Sequence, residues 1–233
     1  MKKLVFVMLL IVAAVSAVAQ PEPGTWTVTP RIGVNSSNVS GVKIYYADPY
    51  GGAYYPEAYI DSKRKWGLTA GAEVEYQIQR PLAVSLGVFY SDEGFRAEHG
   101  EYKDDYHYTP QPGLKMKWNL RYINVPLMAH FYVEPNILPG LALKAGVQFG
   151  FLVKNNYEEE YLNDSHTKIY GETKYDKIRL NISIPAGISY SYRNIVADLR
   201  YNIGVTNIKK DVMEDGSCRS NSIQFTLGYQ FHL

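Results

Sequence analysis

Apolar residues occupy alternate positions over eight separate stretches of the chain, the period of an extended strand with two unlike faces. In "KWGLTAGAEVEYQI", Trp66, Leu68, Ala70, Ala72, Val74, Tyr76 and Ile78 share one side, while Gly67, Thr69, Gly71, Glu73, Glu75 and Gln77 take the other. The same reading groups Leu82, Val84, Leu86, Val88 and Tyr90; then Ile123, Val125, Leu127, Ala129 and Phe131; then Leu143, Ala145, Val147, Phe149 and Phe151. Ile178, Leu180, Ile182, Ile184, Ala186 and Ile188 follow, and after them Ile195, Ala197, Leu199, Tyr201, Ile203 and Val205. The final stretch, "SIQFTLGYQFHL", keeps Ile223, Phe225, Leu227, Tyr229, Phe231 and Leu233 in phase. The first, "TWTVTPRIGVN", keeps Trp26, Val28, Ile32 and Val34 in phase around Pro30. No Asp, Glu, Lys or Arg stands on any of these apolar faces.

The opposite faces are not those of a sheet exposed to water, which would be dense in Lys and Glu. They hold small and neutral polar residues, such as Gly146, Gln148 and Gly150, or Asn181, Ser183, Gly187 and Ser189. Small residues suit a narrow interior, which makes the apolar face the outer one, a hazard in water and a requirement in lipid. The pattern predicts an all-β fold, an eight-stranded antiparallel transmembrane up-and-down β-barrel. A soluble lipocalin-like barrel would show the reverse pattern.

Connection lengths alternate. The short ones are "QRP", "EPNILPG" and "SYRN"; the long ones precede Trp66 and run from about Arg96 to Lys115 and from about Asn155 to Asp176. That asymmetry fits short periplasmic turns and longer extracellular loops, and an even strand number returns both termini to the periplasm. A strand of about ten residues at 45° tilt climbs roughly 23 Å, close to the apolar band of such barrels. Trp26, Trp66, Tyr76, Tyr90, Trp118 and Tyr190 fall near strand ends and read as interfacial girdles. A closed barrel has no free edge, so the last strand is expected to pair with the first. Pro30, Pro126 and Pro185 lie inside strands, where each removes a ladder donor, and local bulges are expected there.

"MKKLVFVMLLIVAAVSAVAQ" places two lysines before an apolar run and ends in Ala17-Val18-Ala19, the form of a secretory signal peptide over residues 1–19, with the barrel domain over 20–233. The run is too short to span a bilayer as a helix, which needs roughly 18 residues or more. Gln20 at the expected mature start, in place of cysteine, argues against a lipid anchor. With 24 basic and 23 acidic residues the balance gives no reason to expect nucleic acid. Cys218 is the sole cysteine, which excludes an intramolecular disulfide and a Cys-rich metal site.

"LRYINVPLMAHFYV" (120–133) and "LNISIPAGISYSY" (180–192) resemble strands of the Bacteroidetes outer-membrane β-barrel family that includes the PorT-like and OmpX-like eight-stranded proteins. The run Tyr122-Ile123-Asn124-Val125-Pro126-Leu127 and the segment from Gly140 to Leu152 carry the resemblance, with Asn124 where the family often has an acidic residue. The resemblance implies a Gram-negative outer-membrane location, lipid and the barrel-assembly machinery as partners, and a role ranging from secretion or gliding accessory to barrels without an assigned role. The aromatic residues of the last strand resemble the assembly signal, from which Leu233 at the end departs.

Arg31, Glu73, Glu75, Lys144, Arg179, Asp198 and Arg200 stand on the inward phase. Unpaired charges in a narrow lumen are costly, so their mixed signs predict an internal ion-pair network and a plugged interior in preference to a small polar pore. His99 and His107 beside Asp104 and Asp105, and His166 after Asp164 and Ser165, raise the question of a lipid or peptide hydrolase or acyltransferase, or of a metal site in "HGEYKDDYH" (99–107). No Gly-x-Ser-x-Gly motif accompanies them, and a solvated loop is the blander reading. The expectation is a non-enzyme with no catalytic residue, metal or cofactor. The chain has 21 tyrosines, and "YYADPYGGAYYPEAY" concentrates Tyr45, Tyr46, Tyr50, Tyr54, Tyr55 and Tyr59, a composition suited to adaptable contact with an envelope protein or extracellular partner or to self-packing over the barrel mouth.

Overall fold

The computed structural model describes residues 22–40, 62–99, 113–134, 137–162, 168–172, 180–207 and 218–233. Its strands are β1 (Trp26–Ser40), β2 (Lys63–Gln79), β3 (Leu82–His99), β4 (Gly113–Tyr132), β5 (Leu141–Leu162), β6 (Lys168–Glu172), β7 (Leu180–Tyr192), β8 (Ile195–Gly204), β9 (Arg219–Tyr229) and β10 (Phe231–His232). Each barrel strand pairs antiparallel with its neighbour, and β9 and β10 pair with β1, so the sheet closes as expected into an eight-stranded ring. The predicted faces point as their polarity requires: Ile32, Leu68 and Leu86 are more than half exposed, while Thr29, Ser85 and Thr226 are buried. The interior is mostly polar and the belt outside is apolar, an inside-out distribution that only lipid stabilises.

The prolines do not form bulges. At Pro30 the ladder to β2 runs unbroken through Ala72, and on the other side the pairing steps from Val28 with Phe231 to Arg31 with Gly228 in unchanged register. Pro126 pairs in step with Gln148, and its gap lies toward β3, between the rungs Leu86 with Leu127 and Phe89 with Asn124. Pro185 likewise pairs with Asn202 and leaves its gap toward β5. Each ring removes one donor on one side, and the twisted, closed sheet holds its register across the missing rungs. Register shifts occur instead between Arg64 and Thr69, between Gln77 and Gln79, and between Arg121 and Tyr122.

Two expected loops are shorter than the sequence suggests, because β3, β4 and β5 stay paired beyond the apolar belt, up to His99 with Leu114 and Gly113 with Leu162, and β6 adds to the outer part of β5. Out there the apolar side of β4 changes from the lipid face to the inward one, with Met116, Trp118 and Leu120 in phase with Tyr122, so the belt's pattern does not carry through. Gly94 permits one step of this extension: its φ of 136° is open to glycine, and a Cβ would run into the carbonyl oxygen of Trp118. Trp118 itself is not a girdle residue. It stacks on Phe95 with ring centroids 5.5 Å apart and donates from Nε1 to Asn155 Oδ1 at 2.6 Å. At the turn end Trp26 and Tyr76 pack at 4.7 Å, close to Tyr229 and Phe231 in the neighbouring strands.

Candidate functional site

The inward phases of β1, β2, β5 and β8 bring five charged side chains together across the lumen. Arg31 places Nη2 2.9 Å from Glu73 Oε1 and Nη1 2.9 Å from Asp198 Oδ2, the second contact lying off the hydrogen-bond line. Lys144 Nζ reaches Glu73 Oε1 at 3.1 Å and Asp198 Oδ2 at 2.8 Å. Arg200 donates from Nε to Asp198 Oδ1 at 2.7 Å and from Nη2 to Glu73 Oε2 at 3.4 Å, while its guanidinium lies 5.6 Å from the centre of the Phe89 ring. None of the five side chains is more than 3% exposed. Glycines make the room: Gly228 stands beside the Arg31 stem, Gly187 beside Arg200, and Gly71 and Gly87 flank the Phe89 ring.

Glu75, also expected on the inward face, belongs to an adjoining group nearer the turn end. His130 Nε2 and Ser85 Oγ share a hydrogen bond of 2.7 Å, and His130 Nδ1 lies 2.9 Å from Glu75 Oε2, off the hydrogen-bond line. Tyr132 donates its hydroxyl to Glu75, and His130 Nε2 lies 3.8 Å from Glu73. Counting Glu75, three carboxylates face Arg31, Lys144 and Arg200, so the two adjoining groups balance in formal charge.

Two chemistries can be read from this group. Glu73, Glu75 and His130 each offer a ligand atom, all within 4.8 Å of one another, which is metal-ligand spacing. Glu73, however, already meets Arg31, Lys144 and Arg200, and a divalent ion there would be repelled by all three. The order Ser85, His130, Glu75 is also that of a hydrolase relay. Ser85 sits in mid-strand with both ladders engaged, opposite Glu75 on β2 and Met128 on β4, so its backbone offers no spare donor to a developing oxyanion. Ser85 is 3% exposed and His130 1%.

Further toward the loop end the lumen holds a second polar group set among apolar side chains. Glu93 accepts from Asn124 Nδ2 at 3.0 Å and Ser220 Oγ at 3.5 Å, and Lys65 Nζ meets Asp92 at 2.8 Å. Around this group Val39, Phe95, Leu120, Tyr122 and Cys218 form a buried cluster flanked by Trp118 and Leu152, with Leu120 on the rung of Glu93 and Val39 on that of Ser220. On the exposed rim Lys63 donates to Glu98 at 2.8 Å, and this bond and charge hold the Glu98 carboxyl below its ordinary value.

Of the residues singled out from sequence, Arg31, Glu73, Lys144, Asp198 and Arg200 meet in one layer and Glu75 in the next. Arg179 lies outside the described residues, as do Tyr45, Tyr46, Tyr50, Tyr54, Tyr55, Tyr59, His107 and His166; His99 ends β3. Sequence reasoning missed His130 and Ser85, although both stand on the inward phase of their strands. It also missed the apolar cluster, for which an inward face read as uniformly polar gave no signal.

Solved structures similar to this chain include Ail, the attachment invasion locus protein of Yersinia pestis, at 13% identity over 90% of this chain and 100% of that one, with a TM-score of 0.40. OprG from Pseudomonas aeruginosa matches at 9% identity over 93% and 100%, with a TM-score of 0.38. The outer membrane protease OmpT of Escherichia coli matches at 8% identity over 94% and 99%, with a TM-score of 0.45. No curated protein matches the chain. A family model described as the outer membrane protein β-barrel domain matches residues 18–210, so the chain belongs to that family and resides in the outer membrane of a Gram-negative envelope.

Proposed function

We propose that this barrel is a non-enzymatic scaffold with a plugged lumen, which presents its loop end to the cell exterior for surface interaction or serves as a PorT-like accessory of an envelope or secretion machine in a Bacteroidetes cell. The observation that carries the reading is the ion-pair layer linking β1, β2, β5 and β8, which occupies the cross-section a pore would need. Contact with partners then falls to the outer segments, above all the tyrosine-rich residues 45–59. Residues 1–19 act as a signal peptide that is removed on export.

The test is mild cross-linking and detergent co-purification of the tagged protein from its native outer membrane, beside a variant lacking residues 45–59. A stoichiometric partner lost on deletion is the expected result, and the absence of any partner in both samples would sink the reading. The alternative of a barrel hydrolase is favoured by one observation, the Ser85 to His130 hydrogen bond at 2.7 Å. Covalent labelling of Ser85 by a fluorophosphonate, abolished by His130→Gln in a folded barrel, would establish it.

A further inference from the structure

The outward face of the β4 and β5 pair can be read rung by rung as it leaves the apolar belt. Ile123 opposite Phe151 is the last apolar rung. Next come Arg121 opposite Lys154, Asn119 opposite Asn156, Lys117 opposite Glu158 and Lys115 opposite Glu160. The two outermost rungs pair opposite signs, with Lys117 Nζ 3.5 Å from Glu158 and Glu160 also meeting Lys168 at 3.3 Å. The rung at the belt edge instead sets two cations face to face, an arrangement that destabilises a sheet unless an anion lies between them.

Nothing among the described residues supplies that anion. Neither Arg121 nor Lys154 forms an ion pair with a described residue, and Asp92, which faces Arg121 from β3, is engaged by Lys65 at 2.8 Å. Both side chains are half-buried at the edge of the belt. Lys154 reaches this face only because of the register shift. Leu152 pairs with Tyr122 on the inward phase, and in an unshifted register Val153 would stand opposite Arg121 while Lys154 followed Gln148, Gly150 and Leu152 into the lumen. A bulge that turns a lysine outward to stand opposite an arginine, at headgroup depth, places a cation pair where anionic headgroups lie.

We propose that Arg121 and Lys154 form a binding site for the phosphate of an outer-leaflet glycolipid, whose acyl chains run down the apolar surface of Ile123, Phe149 and Phe151. The guanidinium fork and the ammonium together match a phosphate's oxygens in charge and geometry. The proposal rests on the reading that the loop end faces the cell exterior.

The test is native mass spectrometry of the full-length barrel in maltoside micelles, titrated with diphosphorylated lipid A and with lipid A stripped of phosphate. Arg121→Gln/Lys154→Gln is expected to weaken binding of the phosphorylated lipid by about tenfold or more. Lys117→Gln, on the neutralised rung, should leave it within about twofold. Phosphate-free lipid A should bind the native chain as weakly as the phosphorylated lipid binds the double variant. A melting comparison guards against misfolding: without lipid A the double variant should melt no lower than the native barrel, and with lipid A it should melt lower. Equal binding of both lipids by the native chain, or native-like binding of lipid A by the double variant, overturns the site. A tag inserted within residues 45–59 that is inaccessible on intact cells overturns the outer-leaflet assignment and the orientation together, even where micelle binding holds.

Discussion

Glu73 accepts from Arg31, Lys144 and Arg200 at distances up to 3.4 Å with 1% of its side chain exposed, so the three cations depend on it for part of their compensation. Glu73→Gln keeps the shape and removes the charge, leaving Asp198 and Glu75 to balance three cations in a buried layer. Breaking a buried network by removing one partner costs about 3–5 kcal/mol, and that is the expected loss when the variant is unfolded by urea in lipid vesicles beside the native barrel. A loss below about 1 kcal/mol would mean that water screens the lumen charges as it does surface pairs. The membership of this layer was legible before the fold, because alternation alone assigns Arg31, Glu73, Lys144, Asp198 and Arg200 to the inward phase. Their partners were not. Which rung of β1 stands level with which rung of β8 depends on strand tilt and stagger around the whole ring, and single-strand periodicity carries no information about it. His130 was as legible as Glu73, sharing the phase of Asn124 and Met128, but a single histidine without a charged neighbour on its own strand face gave no sign of a partner.

The apolar stretches located the strands because lipid enforces alternation along the belt, and they misjudged strand length because nothing enforces it beyond. β4 continues to alternate, with Lys115 and Lys117 outside and Met116, Trp118 and Leu120 on the inward phase, so its apolar side changes from lipid to lumen; in β5 the run Glu158, Glu159 and Glu160 reads in sequence as a charged loop. The shift at Val153 was equally hidden, since one extra residue exchanges the faces without altering composition. The prolines show the converse: a residue read as a bulge is absorbed by a register that many other rungs determine. Pro30 supplies a test at the closing seam. Its ring faces outward, and the ladder gap beside it separates β9 from β10. Pro30→Val keeps an apolar, β-branched surface toward lipid and restores one donor. The expected result is a gain of about 1 kcal/mol and slower hydrogen exchange of the Tyr229 and Gln230 amides. A destabilised variant would show that the gap is required by the local twist of the seam.

At the scale of the whole molecule the lumen holds two packed groups in series, the ion-pair layer in the middle and the apolar cluster of Val39, Phe95, Leu120 and Tyr122 toward the loop end, each expected to block ions. Resistances in series add, so opening one barrier leaves the other in control. In planar bilayers the native barrel should be electrically silent. Glu73→Ser/Arg200→Ser removes one charge of each sign, empties the middle layer beside Phe89 and leaves the remaining charges balanced; it should stay silent. Phe95→Ala/Tyr122→Ala thins the apolar cluster without touching an ion pair of the middle layer, and it too should stay silent. The four substitutions together should conduct, with folding checked by the mobility shift between heated and unheated samples on a gel. If either pair alone opened a channel, the lumen would contain a single effective barrier, and the untouched layer would have to admit hydrated ions. Silence of the fourfold variant in a folded barrel would mean that the wall collapses inward to fill the vacated space, as close-packed interiors partly do. Steady conductance by the native chain would overturn the plugged scaffold itself and make the five charged residues the lining of a pore.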